Sequence, residues 1–192
     1  PYPLLEPVMV PTIASPKPIS IQKANIGSSM IPPKKVSTSA SSQYRNPKLQ
    51  SVIDRHPSCG PIDLKNQQIA DLDILIIIKR AIVEKQCTSL WLTGNRLTSE
   101  SMQDLASALE NNRQLKVLWL NNNRLCDAGI QLLSQTLAKN SSSLTRLDLG
   151  KTSMKDNGAK SLAEMLKSNS TLTHLYLSDN QLTDGGVRYL VN

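Results

Sequence analysis

From residue 59 onward the apolar and polar positions repeat over long distances. Leu-Trp-Leu-Thr-Gly-Asn-Arg-Leu begins at Leu90, Leu-Trp-Leu-Asn-Asn-Asn-Arg-Leu at Leu118, Leu-Asp-Leu-Gly-Lys-Thr-Ser-Met at Leu147 and Leu-Tyr-Leu-Ser-Asp-Asn-Gln-Leu at Leu175. A weaker copy, Ile-Asp-Leu-Lys-Asn-Gln-Gln-Ile, begins at Ile62, so the steps are 28, 28, 29 and 28 residues. Three residues before each anchor sits another apolar residue: Cys59, Cys87, Leu115, Leu144 and Leu172. Apolar residues two apart, such as Leu118 and Leu120, share one face of a short strand. Behind each strand, Leu132, Leu133 and Leu137, or Leu162, Ala163 and Leu166, recur at helical spacing. Asp127, Asp156 and Asp184, with Ser99 and Asp71 equivalent, are the N-cap candidates. One strand–helix unit cannot bury its apolar face alone, and stacking makes a single continuous core. The predicted fold class is therefore α/β, a solenoid with a parallel sheet on its concave face and helices outside.

Asn95, Asn123 and Asn180 fall where the chain turns away from the strand, and an amide there can bond backbone groups. Stacked copies predict an Asn ladder, broken at Gln67 and Thr152. Together these positions spell the LxxLxLxxNxL pattern of leucine-rich repeats. With a full helix in each 28- or 29-residue period, the array resembles the ribonuclease-inhibitor-like subclass, the repeat type also found at the C-terminus of NOD-like receptors. The matching motifs run from Leu118 to Leu125 with Asp127-Ala128-Gly129, and from Leu175 to Leu182 with Asp184-Gly185-Gly186. The resemblance implies a horseshoe of about five repeats over residues 59–192 and a protein-binding role in intracellular signalling or regulation.

Composition separates this array from what precedes it. Ten of the eleven Pro lie in residues 1–58, against three of the twenty-eight Leu. Pro removes backbone donors, and the Ser-rich run 37–42 has little to bury, so residues 1–58 read as a disordered basic tail or linker. That tail holds seven basic and two acidic residues, whereas residues 59–192 hold fifteen and thirteen. The +7 net charge thus belongs mostly to the tail, which argues against a specific nucleic-acid-binding domain. The longest wholly apolar run, Ile74–Ile78, is far short of the ~20 residues of a membrane span. Three Cys without a CxxC or a Cys/His cluster suggest neither a disulfide framework nor a metal site, and reduced thiols fit a cytoplasmic protein. Cys59 and Cys87 read as inward-facing core residues. Pro1 in place of Met, and a fifth repeat that stops in its helix without a polar cap, suggest part of a longer chain. The helix around Leu72–Val83 is unusually apolar. It reads as core partly covered by the N-terminal segment, with a second contact surface as the alternative.

Between the inward anchors, the outward residues line the concave face. The middle outward column runs Asp63, Trp91, Trp119, Asp148, Tyr176 and holds three of the six aromatic residues in the chain. Exposed aromatics flanked by charge are what protein-binding hot spots look like. Trp91, Trp119 and Tyr176 are the expected anchors, with Asp63, Arg146, Asp148 and His174 as polar neighbours. Cross-strand stabilisation of the sheet is the competing reading of the same column. No carboxylate pair, activated nucleophile or GxxxxGK[ST] run marks a catalytic site, so no enzyme activity, cofactor or metal is expected. Two alternatives follow from resemblance: a Ran-type GTPase-activating protein, built from similar repeats, and a ligand-sensing fragment of a NOD-like innate-immune receptor.

Overall fold

The computed structural model describes residues 45–191, and the expected disordered stretch before Arg45 lies outside them. Five three-residue strands, β1 (Pro61–Asp63), β2 (Ser89–Trp91), β3 (Val117–Trp119), β4 (Arg146–Asp148) and β5 (His174–Tyr176), form one parallel sheet in chain order. The register puts Ile62, Leu90, Leu118, Leu147 and Leu175 side by side, with no slip between repeats. Parallel neighbours need a crossover, and each repeat supplies a helical one. This is the leucine-rich repeat architecture.

The helices are α1 (Pro47–Asp54), a composite α2, then α3 (Met102–Leu109), α4 (Cys126–Leu137), α5 (Asp156–Leu166) and α6 (Asp184–Val191). The composite α2 opens with a 3-10 turn at Asp71–Asp73, is α-helical over Ile74–Ile77 and widens to π-helix over Ile78–Glu84. Its Ile74, Ile76, Ile77 and Ile82 are buried, while Leu72, Leu75 and Val83 are exposed. Between sheet and helices lies the core. Leu90, Leu92, Leu97, Leu118, Leu120, Leu125, Leu147 and Leu149 are fully buried, and each contributes about 1.5–3 kcal/mol relative to exposure.

Residues 47–54 are not tail. Asn46 caps α1 through the Leu49 N–H at 3.1 Å, Pro47 takes the first turn, and Leu49 and Ile53 are buried. Pro suits a first helical turn because the N–H it lacks has no partner there. The segment is tied down by Asn46 Nδ2 donating to Asp73 (2.8 Å) and by the Asp63 N–H donating to His56 Nε2 (3.2 Å). The ordered unit therefore starts before residue 59, and the Pro/Ser-rich composition hid a short cap helix.

The aspartates expected as N-caps do something else. Asp71 accepts from the Thr98 N–H (2.8 Å) and hydroxyl (2.7 Å), Asp127 from the Lys155 N–H (2.7 Å), and Asp156 from the Thr183 N–H (2.9 Å) and hydroxyl. Each carboxylate thus bonds the chain just ahead of the next repeat's helix. Thr98 and Thr183 are the residues that cap, accepting from the Glu100 and Gly185 N–H groups. A side chain at Gly186 would fall 2.3 Å from Asp156 Oδ1, and one at Gly158 2.8 Å from Asp127 Oδ1. The Asp-x-Gly spacing is therefore an inter-repeat fit: the Gly of one repeat leaves room for the Asp of the repeat before it. Where Ser99 replaces the carboxylate, Cys126 takes φ 53° and its N–H donates to the Thr152 carbonyl instead. Burial on Asp71 works to raise its pKa. The Thr98 and Ser101 hydrogen bonds outweigh it and hold the group below the ordinary carboxylate value.

Cys59 also departs from expectation. It is exposed at φ 57°, while Cys87 is buried and burial pushes its thiol up to about 12. The two are equivalent in sequence but not in environment, because Cys59 belongs to the turn that joins the cap helix to β1.

Candidate functional site: the open face of the sheet

Two residue columns recur once per strand, and the structure treats them differently. The Asn column lies in the turn below the strands. Asn123 is 3% exposed; its Oδ1 accepts from the Leu97 N–H (3.1 Å), and its Nδ2 donates to the carbonyls of Leu92 (3.0 Å) and Leu120 (2.9 Å). Asn95 and Asn180 repeat the arrangement, reaching Gln67, Ile69 and Leu64, and Thr152, Met154 and Leu149. Each amide joins its own repeat to the previous one. Thr152 fills the fourth position with a hydroxyl that donates to the Leu149 carbonyl (2.8 Å) within its own repeat, so the ladder has a gap there. Asn140 and Asn169 hold the turns after α4 and α5 in the same manner, bonding Ser168 and Ser170, and Leu137 and Leu172.

The second column lies on the side of the sheet turned away from the helices. Register places Asp63, Trp91, Trp119, Asp148 and Tyr176 on adjacent strands in that order, about 4.8 Å apart. The Trp91 and Trp119 rings stack with centroids 5.4 Å apart and planes at 23°. Lys65 Nζ stands 4.9 Å from the centre of the Trp91 ring and pairs with Asp63 at 3.1 Å. Trp91 Nε1 is covered and has no hydrogen-bond partner. Tyr176, 39% exposed, stacks on His174 with centroids 6.4 Å apart, and Thr173 Oγ1 lies 2.9 Å from His174 Nδ1.

Arg146 is exposed at the start of β4, in register with Val117 and His174. Asp148 is half-buried and accepts from the Gly150 N–H at 2.9 Å. Burial raises its pKa above the ordinary carboxylate range, and the Gly150 hydrogen bond only partly opposes this. All seven expected partner-binding residues therefore lie on one sheet face. Lys65 belongs with them, although its role escaped the sequence reading. The alternation Asp63-x-Lys65 puts both on the same side of the chain, but only the strand register shows that the ammonium reaches the next strand's indole. Among the described residues no group of His, Cys, Asp and Glu is placed to hold a metal ion, and no helix is long and apolar enough to cross a membrane.

Comparison with known proteins agrees with the repeat architecture. A family model described as Leucine Rich repeat matches residues 140–163 and 168–191. NACHT, LRR and PYD domains-containing protein 3 of Bos taurus is 32% identical over 143 residues, covering 74% of this chain and 14% of that protein. NACHT, LRR and PYD domains-containing protein 5 of Homo sapiens is 34% identical over 145 residues, covering 74% and 12%. Protein 14 of the same series from Mus musculus is 41% identical over 88 residues, covering 46% and 9%. The chain spans about one tenth to one seventh of the length of these curated relatives.

Proposed function

Taking the chain as a leucine-rich repeat protein, with repeats like those of NACHT, LRR and PYD domains-containing proteins, we propose that the open sheet face binds a partner protein. The observation that carries this reading is the stacked Trp91–Trp119 pair, set in the middle of the sheet face turned away from the described helices. Large rigid aromatics ordered before contact lose little side-chain entropy on binding and bury much apolar area. Trp91 and Trp119 are the central anchors and Tyr176 a third. Asp63, Arg146, Asp148 and His174 supply polar selectivity around them. The module works by recognition and positioning, without chemistry of its own.

The similarity to NACHT, LRR and PYD proteins favours a regulatory setting in which such an array serves as the recognition part of a larger assembly. The intracellular compartment expected from the sequence belongs to that setting.

The test uses the full 192-residue chain. A photo-crosslinking amino acid at position 178, on the rim of the face, identifies the bound protein in cells, and its affinity is then measured with purified components. Trp119→Ala is expected to weaken binding at least about tenfold, as for a central interface aromatic. Unchanged affinity in a variant that keeps its circular dichroism spectrum and a cooperative melt overturns the proposal.

A further inference from the structure

The sheet face contains the same acidic turn twice, and only one copy is complete. In the first repeat, Asp63 Oδ1 accepts from the Lys65 N–H at 3.0 Å. The Lys65 ammonium then closes on the carboxylate at 3.1 Å and covers the neighbouring Trp91 ring at 4.9 Å. Carboxylate, cation and indole face form a satisfied set. In the fourth repeat, Asp148 stands in the same column and accepts from the Gly150 N–H at 2.9 Å, in the same turn. Its neighbour on the preceding strand is Trp119, the other half of the indole stack, and on the next strand, where the first repeat has Trp91, stands Tyr176. Here the residue two places on is Gly150, which has no side chain. Asp148 forms no ion pair among the described residues.

The geometry points to a basic side chain of the partner, Lys or Arg, as the missing member. It would sit beside Asp148, between the Trp119 ring on the preceding strand and Tyr176, which holds on the next strand the register position that Trp91 holds beside Asp63. This inference rests on the sheet face being the partner-binding surface, and it names the chemistry that the face selects.

The surroundings fit a cation arriving from outside. Arg146 lies two residues before Asp148 on the same strand, is exposed, and forms no ion pair with it among the described residues. Lys151 is turned into a pair with Asp179 at 3.6 Å and does not supply the charge. On the far side of Asp148, Tyr176 offers a second ring edge in register. A side chain at Gly150 would meet the Ser178 hydroxyl at 2.9 Å, so the turn leaves no room for an internal cation there, and that hydroxyl can accept a guanidinium or ammonium hydrogen from outside. Half-buried, Asp148 is poorly solvated, which favours an arriving opposite charge. A cation over an indole face gains further from the ring quadrupole.

A random peptide library panned on the full chain tests this. Peptides that no longer bind Trp119→Ala are the ones that use the face. These are expected to carry Arg or Lys, to lose about tenfold in affinity when that residue is replaced by citrulline or norleucine, and to lose a similar factor against Asp148→Asn. The Asn variant keeps the acceptor for the Gly150 N–H, and Glu164→Gln, which removes one negative charge on α5 away from the sheet face, serves as the control, with less than about twofold effect. Face-dependent peptides without a basic residue, or with affinity indifferent to Asp148→Asn, overturn this inference and leave the binding role of the face standing. If no recovered peptide depends on Trp119, the inference falls together with the reading it rests on.

Discussion

The Asn column and the aromatic column share one period and one sheet, yet one is finished and the other is open. Asn123 uses both ends of its amide on backbone groups of two repeats and is almost fully enclosed. Trp91, twenty-eight residues from Trp119 and equally periodic, leaves its Nε1 without a partner and its ring to a lysine and a second indole. Periodicity alone therefore says that a position matters to the repeat. It does not say whether the residue holds the repeats together or faces a partner. The accounting of polar atoms separates the two, because structural polar groups in a folded core are satisfied within it.

The sharpest way to break this contrast is to remove one amide from the finished column. Asn123→Ala leaves the Leu97 N–H and the Leu92 and Leu120 carbonyls without their side-chain partner in a buried site. The expected loss is about 2–4 kcal/mol, read as a lower urea midpoint with unchanged slope. Asn95, only half-buried, is expected to cost less on substitution, since water can reach the orphaned groups. If Asn123→Ala melts within 1 °C of the parent chain, the column is not the structural one.

In the open column the expected structural effect is smaller. A double-mutant cycle on Trp91→Ala and Trp119→Ala should show a coupling of about 0.5–1.5 kcal/mol, the usual value for a stacked aromatic pair. This separates the two readings of the stack. A coupling well above that range would make the pair chiefly a sheet staple. A coupling within it, joined to a tenfold affinity loss in Trp119→Ala, places its main effect in binding.

Much of this was legible in the sequence because the repeat imposes its own alignment. The strands, their order and the shared face of Trp91, Trp119 and Tyr176 follow from a 28-residue step and from two-residue alternation. What escaped the sequence lies where one repeat touches the next. Asp156 looks like a helix cap until Gly186 is seen to make room for it across the repeat boundary. Cys59 matches Cys87 by count, but the cap helix before it pulls the chain into a left-handed turn and out of the core. The cap helix itself carried Asn46-Pro47 and the Leu49/Ile53 pair, too short a signal to stand out from Pro- and Ser-rich surroundings. Lys65 over Trp91 depends on register, which no single repeat encodes.

The smallest effect sharpens the comparison most, because it has opposite signs in the two kinds of aspartate. Asp156 is held below the ordinary carboxylate value by the Thr183 hydroxyl and N–H. Its contribution to stability is present above the unfolded-state pKa and is lost as pH falls through the folded one. Asp148 is raised by burial, so its ionised form costs stability above its folded pKa, and the cost disappears as pH falls below the unfolded value. Asp148→Asn is therefore expected to raise stability slightly at pH 7, by less than about 1 kcal/mol after solvent screening, read as a higher melting temperature. That advantage should shrink toward pH 3.5. Asp156→Asn should lower the melting temperature at pH 7, and its deficit should shrink on acidification. Thermal melts of the three chains between pH 7 and pH 3.5 decide the matter. If Asp148→Asn instead destabilises at pH 7, the carboxylate is already compensated within the chain and has no place left for a partner's cation.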